Sequence, residues 1–446
     1  MRSTVQVRPD QMRTSGYIRK IAFPLAALGL LFVAPCGPGP APPDVVIVVV
    51  DSLRPGLIGS MGGPGQAPRL KGLAHESVVF DDVSYSGFET STAIRSLLTG
   101  QHPHLLDQER PGQEATLVET LSSRGYATGS YQPGAEGGRV SEIEAGFDFV
   151  SAGGHWNDMG APTGELLHRM GGRPFLLFVQ SADLHDQSRI DSQREGESGR
   201  ELIDEYDHMV SSRRALAALR DIDAQADVQE RLQALQPRVH ELYGEALRTA
   251  DDRIGKVIDQ LRARGSWERT LFIVVSDPGR VSTEGGGRAK TAPIFQEQLH
   301  ADLLVRFPKG QFGGRRISTP VSVLDVLPTV LEVVGAPIGD LDISGSSLVP
   351  AVESADLLDP QPRLMAIYSS VDRAASPGVR PAGETKLVVR EGEYKAILDL
   401  RTNTTSLFDL MADPGETRDL AGELPQLAFR LSKLGAEDYV DVVSHN

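Results

Sequence analysis

Residues 44–51 read DVVIVVVD, an unbroken β-branched run that closes on an acid. A strand with one wet face alternates apolar and polar residues, whereas a strand covered on both faces, as in a helix-flanked parallel sheet, has no need to. PFLLFVQSAD (174–183) and RTLFIVVSD (269–277) repeat the pattern, and each again ends on an acid. Between them lie segments of helical texture, over 114–124 and along a charged amphipathic stretch over roughly 203–263. In the latter, Leu242, Leu247, Ile254, Val257 and Ile258 share one face and Gly265 supplies the stop. ADLLVRFP (301–308) and the helix-like VSVLDVLPTVLEVVG (321–335) continue the alternation. Strand–helix alternation of this kind predicts an α/β fold with a mostly parallel central sheet and helices on both faces.

From residue 360 onward the texture changes. LMAIYSS, TKLVVREG, YKAILDL and TSLFDL are short strands separated by Gly, Asn and Asp turns, with a helix expected over 424–434. This reads as a small C-terminal α+β subdomain built on an antiparallel sheet. The expected division is a signal over 1–36, a linker over 37–43, a main domain over 44–350 and the subdomain over 351–446.

The 446 residues carry 45 Lys and Arg against 60 Asp and Glu, a net charge of −15. That surplus of acid argues against nucleic acid as a partner, since such a surface needs clustered Lys and Arg. It leaves room for a local basic pocket that holds an anion. The single cysteine, Cys36, excludes both an internal disulfide framework and a thiolate zinc site.

Cys36 stands in a telling place. Arg2, Arg8, Arg13, Arg19 and Lys20 precede the apolar run IAFPLAALGLLFVAP (21–35), which leads directly into it. A basic stretch followed by such a run is the pattern of a secretory signal, and the run falls short of the about 20 apolar residues of a membrane-spanning helix. The arrangement resembles a bacterial lipoprotein signal with Cys36 as the lipid-bearing residue. A plain signal peptide or an uncleaved anchor are the alternatives. Export to the periplasm or outer cell envelope, with a lipid anchor holding the chain to a membrane, is the expectation. GPGPAPP (37–43) is the linker that follows.

In open α/β sheets, ligands bind beyond the carboxyl ends of the strands. Three apolar runs deliver an acid there, namely Asp51, Asp183 and Asp277. One such Asp is often only a turn or cap residue. Three at equivalent places converge, and like charges brought together call for a cation, so hard oxygen ligands point to a divalent metal. His185, two residues beyond Asp183, adds a nitrogen ligand or a general acid.

These residues and several others together resemble the sulfatase family, within the alkaline phosphatase superfamily. DVVIVVVDSLRPGLIG (44–59) is similar to the opening strand and its metal-binding acid, and APRLKGLAHESVVFDDVSYS (67–86) to the helix and strand that follow. SLLTGQHPH (96–104), GFDFV (146–150), YGEALRTADDRIGKVIDQL (243–261) and SLFDLMADPGETRDLA (406–421) resemble further family landmarks in the family's order. The resemblance implies an alkaline-phosphatase-like sandwich with a divalent ion, calcium before zinc or manganese, held by Asp51 and Asp277. It puts Thr90 at the nucleophile position and Lys290 at a lysine that contacts the charged ester oxygens, and it matches His185 to a family histidine. For Thr90 a helix N-cap, and for His185 and Lys290 a solvated surface side chain, stand as the bland alternatives.

The departures are as informative. Sulfatases carry at the Thr90 position a Cys or Ser that becomes formylglycine, followed by Pro, Ser and Arg. This chain reads Thr90-Ser91-Thr92-Ala93-Ile94. Ser52 replaces the second of two paired acids, Pro278 stands where the family has His or Asn, and SYQPGAEGG (130–138) replaces a Lys-Trp-His segment. Formylglycine chemistry is therefore not expected. The expectation is a metal-dependent hydrolase of sulfate or phosphate-type esters, on a sulfated or phosphorylated small molecule or glycan. Two alternatives stand beside it: a catalytically inactive binding protein of the same fold, and a transferase of phosphorus-linked groups using Thr90.

Overall fold

The structure is a computed structural model that describes residues 41–50, 67–86, 90–102, 116–132, 146–152, 159–181, 202, 205, 209, 222–276, 294, 296–339, 341–354, 363–369 and 385–444. Along the first half run β1 (Asp44–Val50), α1 (Pro68–His75), β2 (Val78–Ser84), α2 (Thr90–Thr99), α3 (Leu117–Ser122), β3 (Ala127–Gln132), β4 (Phe149–Ala152), α4 (Gly160–Arg169) and β5 (Phe175–Ser181). There follow α5 (Ile222–Ala263), β6 (Thr270–Ser276), α6 (Gln296–Leu299), β7 (His300–Arg306), β8 (Arg316–Ile317), β9 (Val321–Ser322), α7 (Val326–Val333) and α8 (Val349–Glu353). The C-terminal part holds β10 (Arg363–Ser369), β11 (Thr385–Glu391), β12 (Tyr394–Asp399), β13 (Thr404–Asp409) and α9 (Pro425–Ser444).

The three apolar runs become adjacent strands. β1 is hydrogen-bonded in parallel to β5 on one side and β6 on the other. They sit at the centre of a sheet ordered β4-β3-β5-β1-β6-β7-β2-β8, with β9 also pairing β2. Only β7 opposes its neighbours, running antiparallel to both β6 and β2. The continuous apolar pattern has its reason in the layers. Val45, Ile47 and Val49 face a cluster with Ala93, Ile94 and Leu97 of α2 and with Leu327 and Val330 of α7. Val46, Val48 and Val50 face the opposite cluster, with Leu70 of α1 and Leu247, Ile254, Val257 and Ile258 of α5. Both faces of β1 are thus dry, as a parallel strand under two helical layers requires.

Several boundaries differ from those the pattern predicts. The helix expected over 114–124 is α3, set at its start by a capping box: the Thr116 hydroxyl accepts the Glu119 N–H at 3.2 Å and the Glu119 carboxylate accepts the Thr116 N–H at 3.1 Å. α5 is described from Ile222 through Pro237 to Ala263, residues 203–204, 206–208 and 210–221 of the expected stretch lie outside the described residues, and Gly265 turns the chain with φ +73. The helix expected from 321 opens instead as β9 and a single 3₁₀ turn, Val323–Asp325, before α7. β3 escapes apolar counting altogether, since ATGSYQ holds no such run.

The small sheet is antiparallel throughout, in the order β10-β11-β12-β13. α9 covers one face, burying Ala428 and Leu431 against Leu387, Val389, Leu398 and Leu407. Two ion pairs dock this sheet to the main one. Arg363 of β10 forks onto the fully buried Asp325 carboxylate at 2.7 and 2.9 Å. Arg390 of β11, itself buried, binds Asp82 of β2 at 2.6 Å. Residues 42–446 form one compact unit.

Candidate active site at the carboxyl end of the sheet

β1, β5 and β6 end at one level: Val50 pairs with Ser181 and with Ser276. The chain leaves the central strands there, and the next residues in sequence include Asp51, Asp183 and Asp277. These three acids, with His185 and Lys290, lie outside the described residues, as do Cys36, Ser52 and Pro278. Thr90 is described in its backbone as the first residue of α2, whose start follows six residues after the end of β2.

The strands change character at this end. Gln132, Ser181 and Ser276 close β3, β5 and β6, and Ser84 and Ser86 close and follow β2. All five are buried. Ser276 is held on two sides: its Oγ accepts the Asp302 N–H at 2.8 Å, and its carbonyl accepts the Tyr85 hydroxyl. The Gln132 amide donates to Ser130 Oγ at 2.8 Å. Ser84 Oγ, Ser86 Oγ and Gln132 Oε1 have no hydrogen-bond partner among the described residues. Buried side-chain atoms left open in this way are uncommon in folded proteins, and each calls for an explanation. Asp302, at the start of β7 and 4% exposed, is a further acid at this end. The sequence pattern passed over it because it begins a strand rather than ending one.

α2 shows what replaced the family motif. Ala93 and Ile94, at 1% and 3% exposure, are packed into the core. Ile94, at the position that the resemblance gives to the arginine, contributes packing and no charge. α2 ends at Gly100, whose φ of +68 suits glycine. The segment after it is pinned by the Gln101 amide donating to the Asp342 carbonyl at 2.8 Å.

Among the described residues no group of three or more His, Cys, Asp or Glu is placed to hold a metal ion. The fit therefore rests on donor chemistry and register. Carboxylates of Asp51, Asp183 and Asp277 are hard oxygen donors of the kind calcium and magnesium take, the His185 imidazole is a nitrogen donor that suits zinc, and the strands before the three acids end side by side.

The strongly perturbed acid of the main sheet lies at the opposite pole. Asp44 begins β1 fully buried, and burial raises its pKa although Arg269 binds it at 2.6 Å. Nearby, burial and Asp44 push the Tyr126 phenol up to about 12. Both are structural: Asp44 accepts the Phe175 N–H and Tyr126 donates to the Pro43 carbonyl, tying together the starts of neighbouring strands.

The sulfatase family pattern matches residues 43–163 and 157–336 of this chain. Arylsulfatase K of Danio rerio is 31% identical over 186 residues, which are 41% of this chain and 34% of that protein. The match thus spans about a third of the length of that relative. Among solved structures, one determined with its substrate D-glucosamine-2-N,6-O-disulfate superposes with a TM-score of 0.63 at 17% identity, covering 91% of this chain and 99% of the other. The phosphonate monoester hydrolase of Agrobacterium radiobacter superposes with a TM-score of 0.61 at 17% identity, covering 90% of this chain and 96% of the other. At those identities the superpositions speak for the fold.

Proposed function

This chain belongs to the sulfatase family, and from that premise we propose that it is a metal-dependent hydrolase of sulfate or phosphate-type esters. The observation that carries the reading is the common level at which β1, β5 and β6 end, with Val50 beside Ser181 and Ser276. In sequence, Asp51 and Asp277 follow that level at once and Asp183 two residues later, and α2 starts at Thr90, six residues after β2.

In this account Asp51, Asp183 and Asp277 hold the divalent ion, calcium before zinc or manganese. That ion supplies positive charge against the ester and lowers the cost of ionising a nearby hydroxyl. The Thr90 hydroxyl gives its proton to solvent water as its oxygen attacks sulfur or phosphorus, and the ester bond to the leaving oxygen breaks. His185 gives that oxygen a proton, and Lys290 holds the non-bridging oxygens as charge builds on them. Water then attacks the same sulfur or phosphorus, the bond to the Thr90 oxygen breaks, and free sulfate or phosphate leaves as the Thr90 hydroxyl takes back a proton. The substrate class is a sulfated or phosphorylated small molecule or glycan, for which the glucosamine disulfate bound by a structural neighbour is the support. Export and lipidation at Cys36 belong to the same proposal, supported by the basic and apolar segments before it.

One observation favours a second reading. The buried Ile94 removes a cation from the nucleophile helix, and a missing transition-state contact costs about 10²–10³ in rate. A binding protein that keeps the fold without turnover would tolerate that loss. The test is a screen of aryl sulfate, phosphate monoester, phosphonate monoester and phosphodiester substrates against the full chain, with Thr90→Ala beside it. Turnover lost in Thr90→Ala supports the hydrolase; turnover unchanged in it rejects Thr90 as nucleophile. No turnover on any of the four, with a divalent ion bound, favours the binding protein.

A further inference from the structure

α9 has two faces of different character. Inward, it buries Ala428 and Leu431 against the small sheet. Gly435 lies so near that sheet that a Cβ there would come within 2.5 Å of the Val389 side chain. This close seat fixes the rotation of the helix, and with it what points outward. Phe429 is 70% exposed and Val440 59%. Val440 follows Phe429 by eleven residues, about three turns of helix, so both stand on one stripe about 16 Å apart. Single apolar residues scattered over a surface need no explanation; two aligned on the outer face of one helix do. Between them on the same stripe lie Lys433 and Glu437, 3.5 Å apart and both exposed.

From its N-terminal end the stripe runs apolar, cation, anion, apolar; from its C-terminal end it runs apolar, anion, cation, apolar. A second α9, turned about a two-fold axis between Leu434 and Gly435, sets Phe429 opposite Val440 and Lys433 opposite Glu437, each pair twice over. A two-fold contact needs this self-complementarity, in which residue i meets j and j meets i. A parallel copy would set lysine on lysine and glutamate on glutamate. Arg430, a further cation on the exposed side, is held by Glu391 at 2.7 Å, so the face lacks the surplus of positive charge that a lipid surface or nucleic acid would attract. We infer that the outer face of α9 is an interaction surface for a second copy of this chain, packed antiparallel across a two-fold axis. A single pair of helices buries less than a standard interface, so the dimer is expected to form in the micromolar range.

Sedimentation equilibrium on the full chain, from low to high micromolar concentration, tests this. Wild type should pass from monomer to dimer across that range. Phe429→Ser and Val440→Ser should each raise the dissociation constant about tenfold, the loss of one buried apolar side chain from the contact. The charges report the orientation. Lys433→Glu and Glu437→Lys should each weaken the dimer, because each sets like charges opposite one another. An equimolar mixture of these two variants, and the double variant Lys433→Glu with Glu437→Lys, should both associate as wild type does. All four positions are exposed, so every variant should melt close to the wild-type Tm, which separates a lost contact from a lost fold. A chain that stays monomeric to high micromolar concentration, or one that associates equally in Phe429→Ser and Val440→Ser, would overturn the inference. So would a dimer that neither single charge change weakens, or one that the mixture and the double variant fail to restore, since the charges then do not meet their counterparts on a second α9.

Discussion

Asp251 of α5 caps α1 from outside: its two carboxylate oxygens accept the N–H groups of Arg69 and Leu70 at 3.0 and 2.7 Å. α1 has Ala67 at its N-cap, a residue with no side-chain acceptor, so the cap comes from 181 residues further along the chain. Burial pushes the Asp251 carboxyl above its usual range and the two donors pull it back. Asp251→Ala should lower the unfolding free energy by about 1–3 kcal/mol, the cost of leaving buried donors unmatched. Asp251→Asn, which keeps one acceptor, should fall between. Chemical denaturation gives both values, and a cost below about 0.5 kcal/mol for the alanine variant would mean that α1 is held by its packing alone.

Arg363 and Asp325 fasten the small sheet to the main one. Asp325 also accepts the Ser322 and Ser346 N–H groups at 2.8 Å each, so its carboxylate stays buried when the guanidinium is gone. Arg363→Met should therefore cost about 3–5 kcal/mol, the usual loss when one partner of a buried pair is removed. The result expected in thermal melts is a lower Tm with earlier proteolytic cleavage near residue 360. An unchanged Tm would mean that apolar contacts carry the docking.

Lys395 gives stability a pH dependence of definite sign. Burial pushes its ammonium down from 10.5 to about 8, against the pull of Glu416 and Asp82 and with the push of Arg390. The unfolded chain keeps this proton up to the ordinary lysine range, so from pH 8 upward the unfolded state binds more protons and rising pH favours folding. This contribution to stability is lost as pH falls through 8. Urea midpoints compared at about pH 7.5 and about pH 10 should rise more in the wild type than in Lys395→Met. Parallel changes in the two would place the titration elsewhere.

Placing at position 94 the arginine that the family resemblance implies there should cost stability. The position is 3% exposed and lies in the core beside Ala93 and Leu97. Ile94→Ala is expected to cost about 2–5 kcal/mol as a cavity, and Ile94→Arg more, because it buries an unpaired charge. Equal stability of Ile94→Arg and wild type would show that this face of α2 opens to the site.

The central strands were legible in the sequence because burial on both faces leaves unbroken apolar, mostly β-branched runs within DVVIVVVD and RTLFIVVSD. β3 was not: Thr128, Gly129 and Ser130 are polar or small, and pairing with β4 and β5 makes them a strand. α5 could be read from Leu247, Ile254, Val257 and Ile258, which share the face that packs into the core. For the site, the strand-end acids announce themselves by following apolar runs. The polar lining of Ser84, Ser86 and Gln132 does not, because serine and glutamine at a strand end look like ordinary turn residues. Glu416 was visible as part of a signature, but its pairing with Lys395 joins a turn to a strand and has no spacing to betray it.

The central claim is that this sulfatase-family chain holds a divalent ion at the carboxyl end of β1, β5 and β6. Calorimetry on the chelator-stripped full chain, titrated in turn with calcium, magnesium, zinc and manganese, tests it without any choice of substrate. The account predicts micromolar or tighter binding of one ion, lost in Asp51→Asn and in Asp277→Asn. Binding of none of the four, or binding that both variants retain, would contradict it.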